Sequence, residues 1–198
     1  VTVRLPPSTP GMTIGLFGGS FNPAHAGHRH ASLLAMRRLR LDRVWWLVTP
    51  GNPLKDNSRL PALQARIGAA EKIAAHPRIA VTGFEAAINA RYTVETLRWL
   101  QAHRPSVRFV WLMGADGLAR FHEWGQWRAI AGMIPIAVVD RPGAAFAAFA
   151  PAALALADSR IPERDAALLP SLPPPAWTLL HGPLSPLSST ALRRTPKM

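Results

Sequence analysis

An α/β fold with a doubly wound, mainly parallel sheet is predicted by three features of the chain. Six short apolar runs alternate with helical patterns, most of the runs are apolar on both faces, and the first leads directly into a glycine-rich loop. Repeated strand–helix–strand units with right-handed crossovers build an open sheet. Such sheets bind ligands beyond the carboxyl ends of the strands, at the topological switch point.

The strands are expected at residues 12–17, 44–49, 79–82, 107–113, 135–139 and 177–180. The first helix is expected over residues 27–40, where Ala31, Leu34, Ala35 and Leu39 fall on one face. Further helices follow at 60–75, at 93–103 with Thr93 as a candidate N-cap, and at 116–132, broken by Gly125. A short helix is expected at 189–194. Residues 144–157 are almost entirely alanine with phenylalanine and leucine, and Pro162, Pro170 and the run Pro173-Pro174-Pro175 follow. One helix and then an irregular excursion fit segment 141–175, as a variable surface loop or a cover over the site.

The 198 residues suit a single domain at 12–198, preceded by a proline-punctuated extension, residues 1–11, that is expected to be flexible. There is no cysteine, so neither disulfides nor thiolate chemistry are available, which is compatible with the cytoplasmic location we expect. No apolar run is long enough to span a bilayer, so no membrane partner is expected. The formal charge of +12 invites a nucleic-acid reading. Its distribution argues against one, because only Arg37, Arg38 and Arg40 cluster and no basic run is interleaved with aromatics. Three lysines against twenty arginines, with abundant alanine, point to codon bias as the source of the excess charge.

The most informative segment is Gly15-Leu16-Phe17-Gly18-Gly19-Ser20-Phe21-Asn22-Pro23-Ala24-His25-Ala26-Gly27-His28. Gly18 and Gly19 allow close ligand approach, Pro23 turns the chain, and His25 and His28 arrive at a helix N-terminus. There the free N–H groups and the positive dipole end favour anions, and imidazole N–H groups can add hydrogen bonds to phosphate. The spacing is neither Gly-x-Gly-x-x-Gly nor a P-loop. Metal ligation by the two histidines lacks a nearby third ligand and a His-Glu-x-x-His pattern.

These residues carry a resemblance. Gly18-Gly19-Ser20-Phe21-Asn22-Pro23-x-His25-x-Gly27-His28 is similar to the signature of the nucleotidylyltransferase superfamily. The doubled glycine and the downstream motifs resemble its nicotinate-nucleotide adenylyltransferases. The likeness extends from about Thr13 to Arg194 and implies a Rossmann-like nucleotidylyltransferase fold. Asn22 stands where many relatives carry Asp and keeps the turn-forming side chain. Leu187-Ser188-Ser189-Thr190-Ala191-Leu192-Arg193 resembles the family's Ile-Ser-Ser-Thr-x-Ile-Arg element, which holds the ATP β- and γ-phosphates; a plain helix cap is the alternative reading. The family usually continues beyond this helix, so the C-terminus reads as shortened. Trp111-Leu112-Met113-Gly114-Ala115-Asp116 and Phe121-His122-Glu123-Trp124 resemble the Gly-x-Asp…Phe-x-x-Trp element. In it the Gly-Asp part lies against the nucleotide and a Trp, here Trp124 in preference to Trp127, stacks on the pyridine ring. Arg91-Tyr92-Thr93-Val94-Glu95-Thr96-Leu97 resembles a Ser-Tyr-Thr-x-x-Thr-Leu segment with Tyr92 and Thr93 near the nicotinate end, and Lys55 ends a segment whose Lys faces substrate.

The resemblance implies adenylyl transfer from ATP, accompanied by Mg²⁺, to nicotinate mononucleotide. It makes His25, His28 and Arg193 catalytic. Gly18, Gly19, Ser20, Phe21, Gly114, Asp116, Ser188, Ser189 and Thr190 join them around ATP, and Lys55, Tyr92, Thr93 and Trp124 surround the acceptor. Alternatives are nicotinamide mononucleotide or phosphopantetheine as acceptor, and, from a different class, a basic nucleic-acid-binding module.

Overall fold

Apolar residues on both faces of β1 (Thr13–Gly19) require cover on both sides, and the chain supplies it by making this first strand central. The computed structural model describes residues 3–51, 54, 56–140, 149–182, 189 and 192. β2 (Arg43–Val48) lies on one side of β1 and β3 (Ile79–Thr82) beyond it. On the other side lie β4 (Arg108–Gly114), β5 (Ile136–Val139) and β6 (Trp177–Leu180). The order is β3-β2-β1-β4-β5-β6 and every pair is parallel, as the continuous apolar runs predict. The order in which strands are added reverses between β1 and β4, so their carboxyl ends form the switch point.

The period of two along each strand divides the core. Ile14, Leu16, Trp45, Leu47, Phe109 and Trp111 join one cluster with Val94, Leu97 and Leu100 of α4 (Thr93–His103) and Ile130 of α6 (Trp127–Met133). Phe17, Val44, Trp46, Val48, Val110 and Leu112 join the other with Ala31, Leu34 and Ala35 of α1 (Ala26–Arg38) and Ala70 of α2 (Leu63–Ala74).

Several boundaries differ from expectation for local reasons. α1 stops at Arg38 because Arg40 turns left-handed (φ 54°), and Leu41 N–H closes back on the Met36 carbonyl at 3.0 Å. α2 begins at Leu63 and not Leu60, since Pro61 disfavours helical backbone at the residue before it. The helix expected at 116–132 is three pieces: α5 (Ala115–Ala119), a 3₁₀ turn (Phe121–Glu123) and α6, with Gln126 left-handed between the last two. A four-residue helix, α3 (Phe84–Ala87), has no counterpart among the expected elements. After β5 the described chain has α7 (Pro151–Ala155) and 3₁₀ turns at Ala157–Ser159 and Glu163–Ser171 before β6. The N-terminal extension lies against the body: Val3 and Leu5 pack on the first cluster, and Gly11 N–H donates to the Ser106 carbonyl at 2.7 Å.

One side chain ties together the loops that leave the carboxyl ends of β1 and β2. Arg66, in the first turns of α2, is 3% exposed. Its Nε donates to the Pro61 carbonyl (2.8 Å), Nη1 to the Ser20 (2.9 Å) and Thr49 (2.8 Å) carbonyls, and Nη2 to the Pro50 carbonyl (3.2 Å). Burial lowers its pKa, and no carboxylate pairs with it among the described residues. Arg66→Met fills a similar volume but strands these acceptors, and should cost about 2–4 kcal/mol of stability in urea unfolding. An unchanged midpoint would mean that water serves the carbonyls equally well.

Candidate functional site

The loop after β1 is shaped by contacts that its small residues permit. A Cβ on Gly18 would come within 2.7 Å of Trp111 Cη2 and 2.9 Å of Cζ2, so only glycine lets the strand end lie on the indole of β4. Gly19 then accepts from Thr49 N–H at 3.0 Å, joining this loop to the end of β2. Phe21 takes left-handed backbone (φ 46°), uncommon for an aromatic residue, and is held there by burial at 2% exposure. Its ring stacks on Trp46 (5.0 Å, 14°) and lies tilted against His28 (4.9 Å). Phe21 is therefore a packing residue, and only its backbone is left to meet a nucleotide. Trp46 is itself fixed, its Nε1 donating to Ser32 Oγ at 2.8 Å while that hydroxyl donates to the His28 carbonyl at 2.9 Å.

The histidine spacing has a structural reason. His25 is the N-cap of α1, and His28 lies one turn later, so its ring reaches back and its Nδ1 accepts the His25 backbone N–H at 3.2 Å. This is the geometry of a capping box with imidazole in the place of Glu or Gln. In the neutral ring the remaining proton must then sit on Nε2, which makes His28 an oriented donor. The two rings are 3.9 Å apart and His25 is buried.

A cavity of about 140 Å³ opens beyond the carboxyl ends of β1, β2 and β4. Gly18, Gly19, Tyr92, Thr93 and Trp124, expected around the ligands from separate motifs, share its wall with Thr49, Gly51, Leu54, Glu85, Arg91 and Trp111. Trp124 meets Trp111 edge-on (6.0 Å, 90°) and Phe121 likewise (5.4 Å, 78°), so it is oriented from the core outward. Trp127 packs on Phe121 under the Arg128 guanidinium and is not on the wall. The N-cap of α4 is Tyr92 and not Thr93, which is the first helical residue. Glu95 Oε2 accepts the N–H groups of Arg91 (2.8 Å) and Tyr92 (3.1 Å), and these two bonds lower the pKa of its carboxyl.

Gly114 ends β4 and Asp116 lies in the first turn of α5; neither lines the cavity. The Ser20 carbonyl is taken by Arg66. Lys55, Ser188, Thr190 and Arg193 lie outside the described residues. Ser189 is described, and its hydroxyl donates to the Pro23 carbonyl at 2.9 Å, bringing a residue 166 positions away onto the turn before His25. No group of three His, Cys, Asp or Glu able to hold a metal occurs among the described residues, and none of their helices is long and apolar enough to cross a membrane.

Two residues of the site region carry no motif. Arg66 follows Leu63 and precedes Ala70 and Ala74 at helical spacing, a cation on an otherwise apolar face, which is the one signal that could have found it. Glu85 is an acid in the apolar turn after β3, 8% exposed, with Thr96 Oγ1 donating to its Oε1 at 2.8 Å. Burial pushes its carboxyl up to about 7, against the opposing effect of the threonine hydrogen bond.

The comparisons with known proteins agree with this geometry. The cytidylyltransferase-like family model matches residues 16–195. The chain is 60% identical over 183 residues to a probable nicotinate-nucleotide adenylyltransferase of Methylorubrum extorquens, covering 92% of this chain and 99% of that one. It is 53% identical over 184 residues to a probable nicotinate-nucleotide adenylyltransferase of Brucella suis, covering 92% and 95%. The fold resembles that of Plasmodium falciparum nicotinic acid mononucleotide adenylyltransferase complexed with APC, with a TM-score of 0.68 at 16% identity over 92% of this chain and 83% of that one. The strand order, the histidine loop at the switch point and these relatives together make the chain a member of the cytidylyltransferase-like family and, within it, of the nicotinate-nucleotide adenylyltransferases.

Proposed function

We propose that the protein transfers the adenylyl group of ATP to nicotinate mononucleotide, forming deamido-NAD and releasing pyrophosphate. The observation that carries this reading is the convergence on one cavity of the two glycines that end β1, Tyr92 and Thr93 at the start of α4, and Trp124. The backbone of Gly18 and Gly19, which lead into the histidine loop, shares a wall with a half-buried aromatic, which suits a reaction between a triphosphate and a flat heteroaromatic nucleotide.

An oxygen of the acceptor phosphate attacks the α-phosphorus of ATP, the new P–O bond forms, and the bond to the β-phosphate oxygen breaks as pyrophosphate leaves. The attacking phosphate is already ionised, so no protein base is required. The protein's task is in-line positioning and stabilisation of charge on the phosphoryl oxygens. His28, with its proton directed to Nε2 by the capping bond, supplies a preorganised donor beside the free N–H groups at the start of α1. His25 acts with it. Ser189 on the Pro23 turn supports the assignment of Ser188, Thr190 and Arg193 to the β- and γ-phosphates. Gly114 and Asp116 are assigned to the nucleotide, and the loop from Gly18 to Phe21 to the ATP phosphates. Lys55 is assigned to the acceptor phosphate, next to the wall residue Leu54. Mg²⁺ enters as part of the ATP substrate and neutralises the triphosphate.

Pyrophosphate release should be rapid with nicotinate mononucleotide, slower with nicotinamide mononucleotide and absent with phosphopantetheine. If no acceptor supports release, while random oligonucleotides bind in a salt-sensitive way, the nucleic-acid reading would replace this one. His28→Ala should lower kcat about a hundredfold, the cost of one preorganised donor, and near-normal turnover would remove His28 from the mechanism. Trp124→Ala should raise KM for the pyridine nucleotide about tenfold and leave KM for ATP within about twofold, which initial-rate kinetics in both substrates would test.

A further inference from the structure

Glu85 has no part in the reaction just described, although it lies on the wall of the same cavity. Its position there is set by three elements. α3 buries it, α4 offers the Thr96 hydroxyl at 2.8 Å, and β2, against which α3 packs, contributes apolar side chains at this end of the sheet. Among the described residues, the charged and titratable groups on the shared wall are Arg91 and Tyr92, and α4 carries Glu95, whose Oε2 is engaged by backbone N–H groups. No cation pairs with Glu85 among the described residues, and a buried acid without a cation, on the wall of a cleft, is a candidate for a functional role.

Resting on the reading above, we propose that Glu85 is a specificity-determining residue at the pyridine end of the cavity. As the neutral acid it receives an anionic ring substituent and donates a hydrogen bond to it; as the carboxylate it repels that substituent and favours an amide. The neighbouring wall residues, Tyr92, Thr93 and Trp124, are those assigned to the pyridine nucleotide. Burial brings the titration up to about 7, so both forms exist under ordinary assay conditions.

The test is the ratio of kcat/KM for nicotinate mononucleotide to that for nicotinamide mononucleotide, measured from about pH 6 to about pH 8.5, on either side of the Glu85 titration. Both acceptors carry the same phosphate and meet the same ATP site, so titration of those groups cancels in the ratio. The parent ratio should fall about tenfold across the range, and Glu85→Gln, which still accepts from Thr96 but cannot ionise, should be flat. A melting series supplies an independent readout. Between about pH 4.5 and pH 7 the folded protein keeps a proton that the unfolded chain has released, so the parent Tm should decline over that window and level off above it, unlike that of the variant. A flat parent ratio, or a slope that persists in Glu85→Gln, overturns the proposal while leaving adenylyl transfer intact. Failure of both acceptors overturns the transfer reading and this inference with it.

Discussion

The site depends on a problem of backbone chemistry that Arg66 solves. Where strands end in an open parallel sheet, the next carbonyls lose their ladder partners, and loops that converge at a switch point cannot all turn them to solvent. Here the carbonyls of Ser20, Thr49 and Pro50 turn inward and meet one guanidinium. Arginine is suited to this because it presents five donors in a rigid plane and does not lose its proton when desolvated. A lysine would bring a point charge with fewer directions. The result is one guanidinium that joins the loop that carries the histidines to the loop that carries Gly51 and Leu54.

A second constraint acts from below. Trp111 lies under the end of β1, and the missing Cβ of Gly18 is what allows contact at this distance. The same indole meets Trp124 edge-on, so the aromatic on the cavity wall is positioned by the residue that also underlies the glycines at the end of β1. Core packing and site geometry are therefore not separable here. A side chain added at Gly18 would shift Trp111, and through it Trp124, although Gly18 and Trp124 belong to different motifs.

The fold is legible in the sequence because its signal is local: runs such as Val44 to Val48 are apolar at every position, which is the pattern of a strand covered on both faces. The histidine loop, Tyr92 and Trp124 are legible as motifs, and the structure adds what motifs lack, namely that His28 caps its own helix and that Tyr92 rather than Thr93 occupies the N-cap. Glu85 is not legible, and Arg66 only as a cation on the otherwise apolar face of its helix. A charged residue is expected at the surface, and its burial depends on where distant carbonyls, or a threonine on another helix, come to lie. The left-handed turn at Arg40 is hidden for a related reason, since the closing bond from Leu41 outweighs the preference for glycine at that position.

Arg66 and Glu85 also show two ways for a protein to keep an ionisable group away from water. Arginine stays charged, so its desolvation must be met by hydrogen bonds, and four carbonyls meet it. Glutamic acid can give up its charge instead, and with a single threonine donor it moves toward the neutral form. The loops at the carboxyl ends of β1 and β2 are thus held by a cation that keeps its charge, while the wall of the adjoining cavity carries an acid that burial moves toward the neutral form. In a chain of net charge +12, general attraction for anions is available over much of the surface and discriminates poorly between one nucleotide and another. Discrimination between an acid and an amide on the same ring has to come from a few buried groups near that ring, where the effective dielectric is low enough for one proton to matter.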